Sequence, residues 1–423
     1  MPRIYIETYG CSANRSESEI IAGILEKQGM EIVDSSDSAD IAIINTCVVK
    51  QPTETKIFYR IRKLNEEGKK IIVAGCMPEV RQKEIMRLFP DACLVSTHQI
   101  KNIPEAIQAL MSKQRRYFVG KSKEENICMP RHRHNKFIAI IEISKGCTGG
   151  CTYCAVKGVK GELFSYSSKS IIKEIKTAVS DGCKEIWLTS QDCGCYGKDK
   201  GETLVHLLKE IEKVPGEFRI RVGMMNPEHI LTMLDDLIEC FKNPRVYKFL
   251  HIPIQTGSDK ILKSMGRKYQ AKDTLKIISG FRKEIPEINI WTDIIIGFPG
   301  ENEEDSKATI DILEKIKPGF TNISKFGAMK NTPAAIMEQV DRETINKQAR
   351  KITEICERIQ LNNNKQHIGL KKKILITERG NKGTLKGRDM SFKQIVLKDS
   401  DGKIGDLVEK RINSAAISGL STL

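Results

Sequence analysis

The sequence predicts an α/β chain of several domains: a parallel α/β domain first, a second α/β run in the middle, and a small antiparallel β-barrel at the end. Three observations carry this. Apolar strand-like runs alternate with helix-spaced segments over residues 1–112. The alternation resumes over 137–330 with six βα units, and short strands separated by glycines follow residue 367. A chain of 423 residues is too long for one core and fits two or three domains.

In the first domain, 3–8, 41–45 and 70–74 read as strands, and 16–28, 53–67 and 80–88 have helical spacing. Cys11, Cys47 and Cys76 each come two or three residues after one of those strands. In a parallel sheet the strand C-terminal ends share one edge, so three thiols far apart in sequence converge there. Gly10 and Gly75 precede two of them and ease the tight turns. Any one of these cysteines alone reads as a small buried apolar residue. Three in the same strand-end position favour a three-cysteine cluster site.

Residues 113–136 are polar, include Arg115-Arg116 and Arg131-His132-Arg133-His134, and read as a solvated interdomain linker. The middle domain, 137–366, has strand candidates at 137–143, 185–189, 218–222, 248–254, 289–296 and 321–326. Helices are expected at 168–180, 203–212, 228–241, 273–284 and 304–315, and a long charged one at 341–364. Six βα units are two short of a full (β/α)8 barrel, whose site would lie at the strand C-terminal ends.

The loop after the first of these strands carries the sharpest signal. Cys147, Cys151 and Cys154 stand in the spacing C-x3-C-x2-C on a glycine-rich segment. Three thiolates can each take one iron of a cubane cluster and leave the fourth iron open to a small molecule, whereas electron-transfer clusters are normally closed by four cysteines. Half a zinc site or a dithiol pair would explain Cys151-x-x-Cys154 but not the third cysteine.

The last domain, 367–423, shows strands at 373–377, 393–397 and 406–409. Residues 368–423 hold twelve Lys/Arg against six Asp/Glu, and the whole chain has a net charge of +15, which suits a polyanionic partner such as nucleic acid. A solvated lysine-rich surface would account for charge alone. Thirteen cysteines, no apolar leader segment and no run long enough to span a membrane fit a reducing cytoplasm and no membrane partner.

The C-x3-C-x2-C loop with Tyr153 before its last cysteine resembles the signature of radical S-adenosylmethionine (SAM) enzymes. Glu7-Thr8-Tyr9-Gly10-Cys11-Ser12-Ala13-Asn14, Ile44-Asn45-Thr46-Cys47 and Val73-Ala74-Gly75-Cys76 look like the three N-terminal blocks of the methylthiotransferase family within that class. The resemblance implies a partial (β/α)6 TIM-like barrel whose [4Fe-4S] cluster is held by Cys147, Cys151 and Cys154 and chelated by SAM. It also implies an auxiliary [4Fe-4S] cluster on Cys11, Cys47 and Cys76, and a C-terminal RNA-binding barrel of the TRAM type. The loops following the strands would surround SAM, with Tyr153 in the cluster loop, Gln191 and Gln255 as hydrogen-bonding groups, and Arg221 near the SAM carboxylate. A guanidinium suits a carboxylate. As isolated residues, each of these reads equally well as a structural polar group at a barrel mouth.

Residues 154–163, Ser165-Tyr166, 188–192 and Met225-Asn226-Pro227 resemble the archaeal and eukaryotic branch, which acts on N6-threonylcarbamoyladenosine in tRNA. Partners implied are tRNA, a one-electron reductant and a sulfur donor. Radical chemistry is expected because C2–H of adenine is neither acidic nor electrophilic enough for acid–base substitution. No side chain is assigned as catalytic. Three departures stand out: Lys160 replaces a usual arginine, Met329-Lys330-Asn331 replaces a common Arg-Pro-Gly, and Cys193 and Cys195 flank a loop that often has threonine or alanine. The alternatives are the same chemistry on isopentenyladenosine tRNA or on a ribosomal-protein aspartate, and a non-catalytic RNA-binding protein with structural metal.

Overall fold

A computed structural model of the chain describes residues 1–49, 51–381 and 383–423. Its first sheet has six parallel strands in the spatial order Glu31–Val33, Arg3–Thr8, Ile41–Thr46, Lys70–Gly75, Cys93–Ser96, Tyr117–Phe118. Strand Ile41–Thr46 is buried on both faces, which is why it reads as a continuous apolar run rather than an alternating one. Side chains alternate between two cores. Ile41 and Ile43 face helices Ser12–Lys27 and Ile103–Met111, while Ala42 and Ile44 face helices Gln51–Glu66 and Met77–Leu88. The helices that follow Arg3–Thr8 and Ile41–Thr46 therefore leave on opposite faces. The crevice this opens at the strand C-terminal ends lies between Cys11 and Cys47.

The segment read as a solvated linker is partly built into this domain. Tyr117–Phe118 forms the sixth strand. The Arg131 side chain is buried: its Nε lies 2.7 Å from Glu174, and its NH1 donates to the Ser16 hydroxyl at 2.9 Å.

Six parallel strands form the middle domain: Ile138–Glu142, Glu185–Thr189, Arg219–Arg221, Phe249–His251, Asn289–Ile296 and Phe320–Lys325. They fall into two three-stranded sheets joined by a parallel bridge between Ile220 and Val246. Outward residues such as Ile141, Leu188, Ile220, Leu250 and Ile294 form one core with the surrounding helices. The helix expected over 228–241 is broken by a 3-10 turn at Leu231–Met233 into Pro227–Ile230 and Leu234–Lys242.

A partial barrel leaves two edges to cover. Helix Ser12–Lys27 covers Ile138–Glu142, with the Ser16 hydroxyl donating to the Ile140 carbonyl at 3.0 Å. Helix Arg342–Lys365, capped by Asp341, packs Ile352, Cys356 and Ile359 into the core beside Ile323 at the other edge.

The C-terminal domain is a curled six-stranded sheet, half a barrel. It is antiparallel except that Gly419–Ser421 pairs in parallel with Gln394–Lys398, where a wholly antiparallel barrel was expected. It also closes the floor of the middle domain. Phe392 packs against Trp187, Tyr247 and Phe249 with ring centroids 5.7, 5.0 and 4.8 Å away. Arg388 reaches Glu185 at 3.4 Å, and Lys248 N–H donates to the Met390 carbonyl at 2.7 Å. Truncating such a buried ring costs about 3–5 kcal/mol. The two tryptophans of the chain, Trp187 and Trp291, both contact Phe392 and report on it directly. Phe392→Ala is expected to lower the unfolding free energy, from denaturant titration followed by tryptophan fluorescence, by that margin, and a loss under about 1 kcal/mol would contradict this packing.

Candidate active site between two three-thiol loops

The first thiol group is built by the loop after strand Ile138–Glu142. Gly146 turns the chain at φ +69° and donates its N–H to the Gln191 amide oxygen at 2.7 Å. The loop is pinned from both sides: Thr152 N–H donates to the Met265 carbonyl at 3.1 Å, and Lys157 Nζ donates to the Cys147 carbonyl at 2.7 Å. Cys147, Cys151 and Cys154 are all free and partly exposed. A Cβ built on Gly149 would sit 3.6 and 3.7 Å from the Cys147 and Cys151 sulfurs, so the glycine leaves the space between them open. Burial pushes the Cys147 thiol up to about 11 and raises Cys151 also. A metal that binds here displaces those protons. Three convergent free thiols around an unfilled space fit a cluster with one iron left open.

The second group occupies the crevice edge of the first domain. Cys47 and Cys76 directly follow their strands and are buried, while Cys11 is exposed at the start of helix Ser12–Lys27. A network of amides fixes the strand ends: Asn14 Nδ2 donates to the Thr46 carbonyl at 3.0 Å, and Asn45 Nδ2 donates to the Asn14 carbonyl at 2.9 Å. Gly75 at φ +87° is required here, because a Cβ would lie 2.3 Å from Asn45 Oδ1. Burial raises the Cys47 and Cys76 thiols; Cys11 adds to both shifts, and Cys47 adds to that of Cys76. The three sequence-distant cysteines are thus brought together, with the same donor set as the first group.

Helix Ala155–Lys160 connects the two groups. It begins at Cys154 and spans about 9 Å at 1.5 Å per residue. It ends at Lys160, whose charge is felt at Cys76. Lys160 is wholly buried and bonds Glu17 at 2.7 Å and Thr97 Oγ1 at 2.6 Å, both from the first domain, with Glu142 at 3.7 Å. Tyr166 OH donates to the other Glu142 oxygen at 3.0 Å. The lysine in place of arginine keeps the charge and ties the two domains together. Beside Cys154 lies a cavity of about 300 Å³ lined by Val48, Glu54, Arg81 and Lys330 among others.

The four residues expected around SAM are distributed unevenly. Gln191 holds the cluster loop as described. Tyr153 accepts a hydrogen bond from Arg267 and meets Phe298 edge-on at 6.1 Å. Gln255 is buried at the top of the fourth strand with φ +70°, a strained conformation for a non-glycine residue and a mark of functional positions. Arg221 points into the barrel interior lower down, its guanidinium over the rings of Trp187, Phe249 and Phe392 at 5.4, 5.1 and 5.5 Å. Burial lowers its pKa to about 10, so it stays cationic at neutral pH, and it has no ion pair among the described residues.

Sequence reasoning missed the links that hold this rim. Arg267 bonds both Tyr153 and Asn226, Asn226 Nδ2 donates to Asp192 Oδ2 at 2.5 Å, and His229 Nε2 lies 3.1 Å from Thr148 Oγ1. Two of the branch-marking residues, Asp192 and Asn226, are therefore bonded partners. Asp192, Cys195 and His229 come within 4.8 Å of one another. Lys198 Nζ stands 2.7 Å from His229 Nδ1, and its positive charge opposes a cation at that point. Cys193 and Cys195 are both buried, and Cys195 Sγ donates to the Asp192 carbonyl at 3.1 Å.

Comparison with known proteins agrees with this arrangement. Residues 141–313 match the Radical SAM superfamily, and residues 3–96 match Uncharacterized protein family UPF0004. Among solved structures, the cobalamin-dependent SAM radical enzyme OxsB superposes with TM-score 0.57 at 12% identity, over 85% of this chain and 56% of that one. The radical SAM methyltransferase TsrM of Kitasatospora setae gives TM-score 0.55 at 15% identity, over 79% and 75%. These likenesses define the fold, that of a radical SAM protein, a class that uses a [4Fe-4S] cluster and SAM.

A probable threonylcarbamoyladenosine tRNA methylthiotransferase of Pyrococcus horikoshii is 40% identical over 98% of this chain and 98% of its own. The human threonylcarbamoyladenosine tRNA methylthiotransferase is 33% identical over 96% of this chain and 71% of its own. The chain belongs to the threonylcarbamoyladenosine tRNA methylthiotransferase family. No helix among the described residues is long and apolar enough to cross a membrane.

Proposed function

We propose that the chain is a radical SAM methylthiotransferase that adds a methylthio group to C2 of N6-threonylcarbamoyladenosine at position 37 of tRNA. The observation that carries this is the pair of three-thiol groups joined by helix Ala155–Lys160, which starts at Cys154 and ends at Lys160, buried against Glu17 and Thr97 of the first domain. The relatives' names support the substrate, and the net charge of +15 supports an RNA partner. We assign residues 1–112 to an auxiliary-cluster domain, 137–366 to the SAM barrel, and 367–423 to a basic RNA-binding domain of the TRAM type, with 113–136 between the first two. The reaction would take place in the cytoplasm and draw on a one-electron reductant and a sulfur donor.

Cys147, Cys151 and Cys154 would hold a cluster able to supply an electron for reductive cleavage of SAM, and Cys11, Cys47 and Cys76 would hold a second one able to carry the sulfur for transfer. The protein's own part is position and exclusion of water. Lys157 and Gln191 fix the start of the cluster loop, and Arg267 fixes its end through Tyr153. Gln191, Gln255 and Tyr153 frame the place for SAM, and Arg221 offers the unpaired cation for its carboxylate. Lys160 holds the two domains in one relative position, so that a base seated between the thiol groups can meet both.

The test is mass spectrometry of nucleosides from tRNA incubated with anaerobically reconstituted protein, SAM, sulfide and dithionite. A methylthio mass gain on threonylcarbamoyladenosine tRNA and none on isopentenyladenosine tRNA is expected. Release of 5′-deoxyadenosine with both nucleosides unchanged would overturn the substrate.

A further inference from the structure

We propose that Arg81 and Glu54, with Lys330 at the rim, form the subsite that recognises the carboxylate-bearing threonylcarbamoyl substituent. The proposal rests on the substrate reading above and adds the residues that read it. All three line the cavity beside Cys154, two from the first domain and one from the 329–331 loop of the barrel domain. Helix Met77–Leu88 departs from helical geometry at Arg81, with φ −121° and ψ 15°. The guanidinium sits over Glu54, with Nε and NH2 donating to the single oxygen Oε2 at 3.0 and 2.8 Å. Two of its five N–H groups are spent there. Its NH1 is 3.8 Å from Glu84, outside hydrogen-bond range. The remaining fork can take a second carboxylate.

Glu54 is buried, and its other oxygen, Oε1, has no hydrogen-bond partner among the described residues, so its carboxylate serves to hold Arg81. Glu79, also on the cavity wall, is already used: its Oε1 accepts from Gly120 N–H at 3.0 Å. The cavity thus presents one guanidinium edge with donors to spare, held in place by Glu54. The threonylcarbamoyl group has the complement, a carboxylate. An isopentenyl group has none and would leave the guanidinium unmatched. Lys330 is exposed at the rim and, with Arg81, offsets the charges of Glu54 and Glu79 on the wall, so an anionic substituent meets no net negative charge.

The experiment uses the reconstituted full chain and two anticodon stem-loop RNAs. One carries threonylcarbamoyladenosine, and the other carries the same group with its carboxylate converted to the amide. The wild type is expected to favour the carboxylate by about 10- to 100-fold in kcat/KM, chiefly through KM. Arg81→Gln is expected to bring the ratio within about threefold, and Arg81→Lys to restore part of it. Lys330→Gln, a change on an exposed loop that cannot unfold the domain, is expected to lower the ratio by about threefold by removing rim charge. A ratio is insensitive to how much of a variant is folded. Equal product from both RNAs on the wild type, or full discrimination retained by Arg81→Gln, would overturn the subsite alone. Absence of methylthio product from either RNA on the wild type would overturn the substrate reading and the subsite with it.

Discussion

Cys151→Ala is expected to abolish both SAM cleavage and methylthio transfer. Cys151 is the middle ligand of a loop that offers only three thiols, and its neighbours Gly149 and Gly150 have no side chain to replace it. A site with two thiolates does not hold a cubane with one defined open iron. The rest of the loop is anchored by contacts that do not involve Cys151, namely Gly146 to Gln191 and Lys157 to the Cys147 carbonyl. The fold should therefore survive, and the variant should still hold the auxiliary cluster. Chromatography for 5′-deoxyadenosine checks this. Release at more than a few percent of the wild-type rate would mean that Cys151 is not a ligand.

Cys76→Ala is expected to separate the two halves of the reaction. Cys76 is buried at the end of strand Lys70–Gly75 and belongs to the other thiol group. The barrel loop has no hydrogen bond to it among the described residues. The variant should keep SAM cleavage, measured as 5′-deoxyadenosine, and lose methylthio product below detection, because the sulfur to be transferred has no holder. Loss of both activities would show that the two groups do not act independently. Retention of both would remove Cys76 from the chemistry.

The parts of this arrangement legible in the sequence were those set by local pattern. Strands 185–189 and 289–296 and helix 168–180 are found where their periodicity puts them, because each buries a continuous apolar run or one clear face. The Cys147 loop was legible because its ligands share eight residues. The Cys11, Cys47 and Cys76 group was legible because a parallel sheet gathers strand ends on one edge. Short edge strands escaped notice. Glu31–Val33 and Tyr117–Phe118 have three and two residues and are only partly buried, so they carry little alternation. Strand Thr384–Arg388 was hidden by Gly387, which read as a separator although it lies inside the strand.

What escaped entirely was contact between distant residues. Nothing near Lys160 in sequence announces Glu17, 143 positions away, and nothing near Phe392 announces Trp187. Arg81 and Glu54 stand 27 positions apart, and only the fold brings them together on a cavity wall with Cys154. The branch-marking residues make sense only afterwards. Lys157 bonds the Cys147 carbonyl, Tyr166 bonds Glu142, and Asp192 bonds Asn226, so they hold the cluster loop and the domain junction in place.

Two three-thiol groups that each hold a cluster are tested most directly by metal analysis of the anaerobically reconstituted chain. About eight iron and eight acid-labile sulfide per chain are expected, falling to about four of each in Cys151→Ala and again in Cys76→Ala. Zinc without sulfide, or a wild-type content of about four iron that only one of the two substitutions removes, would contradict it.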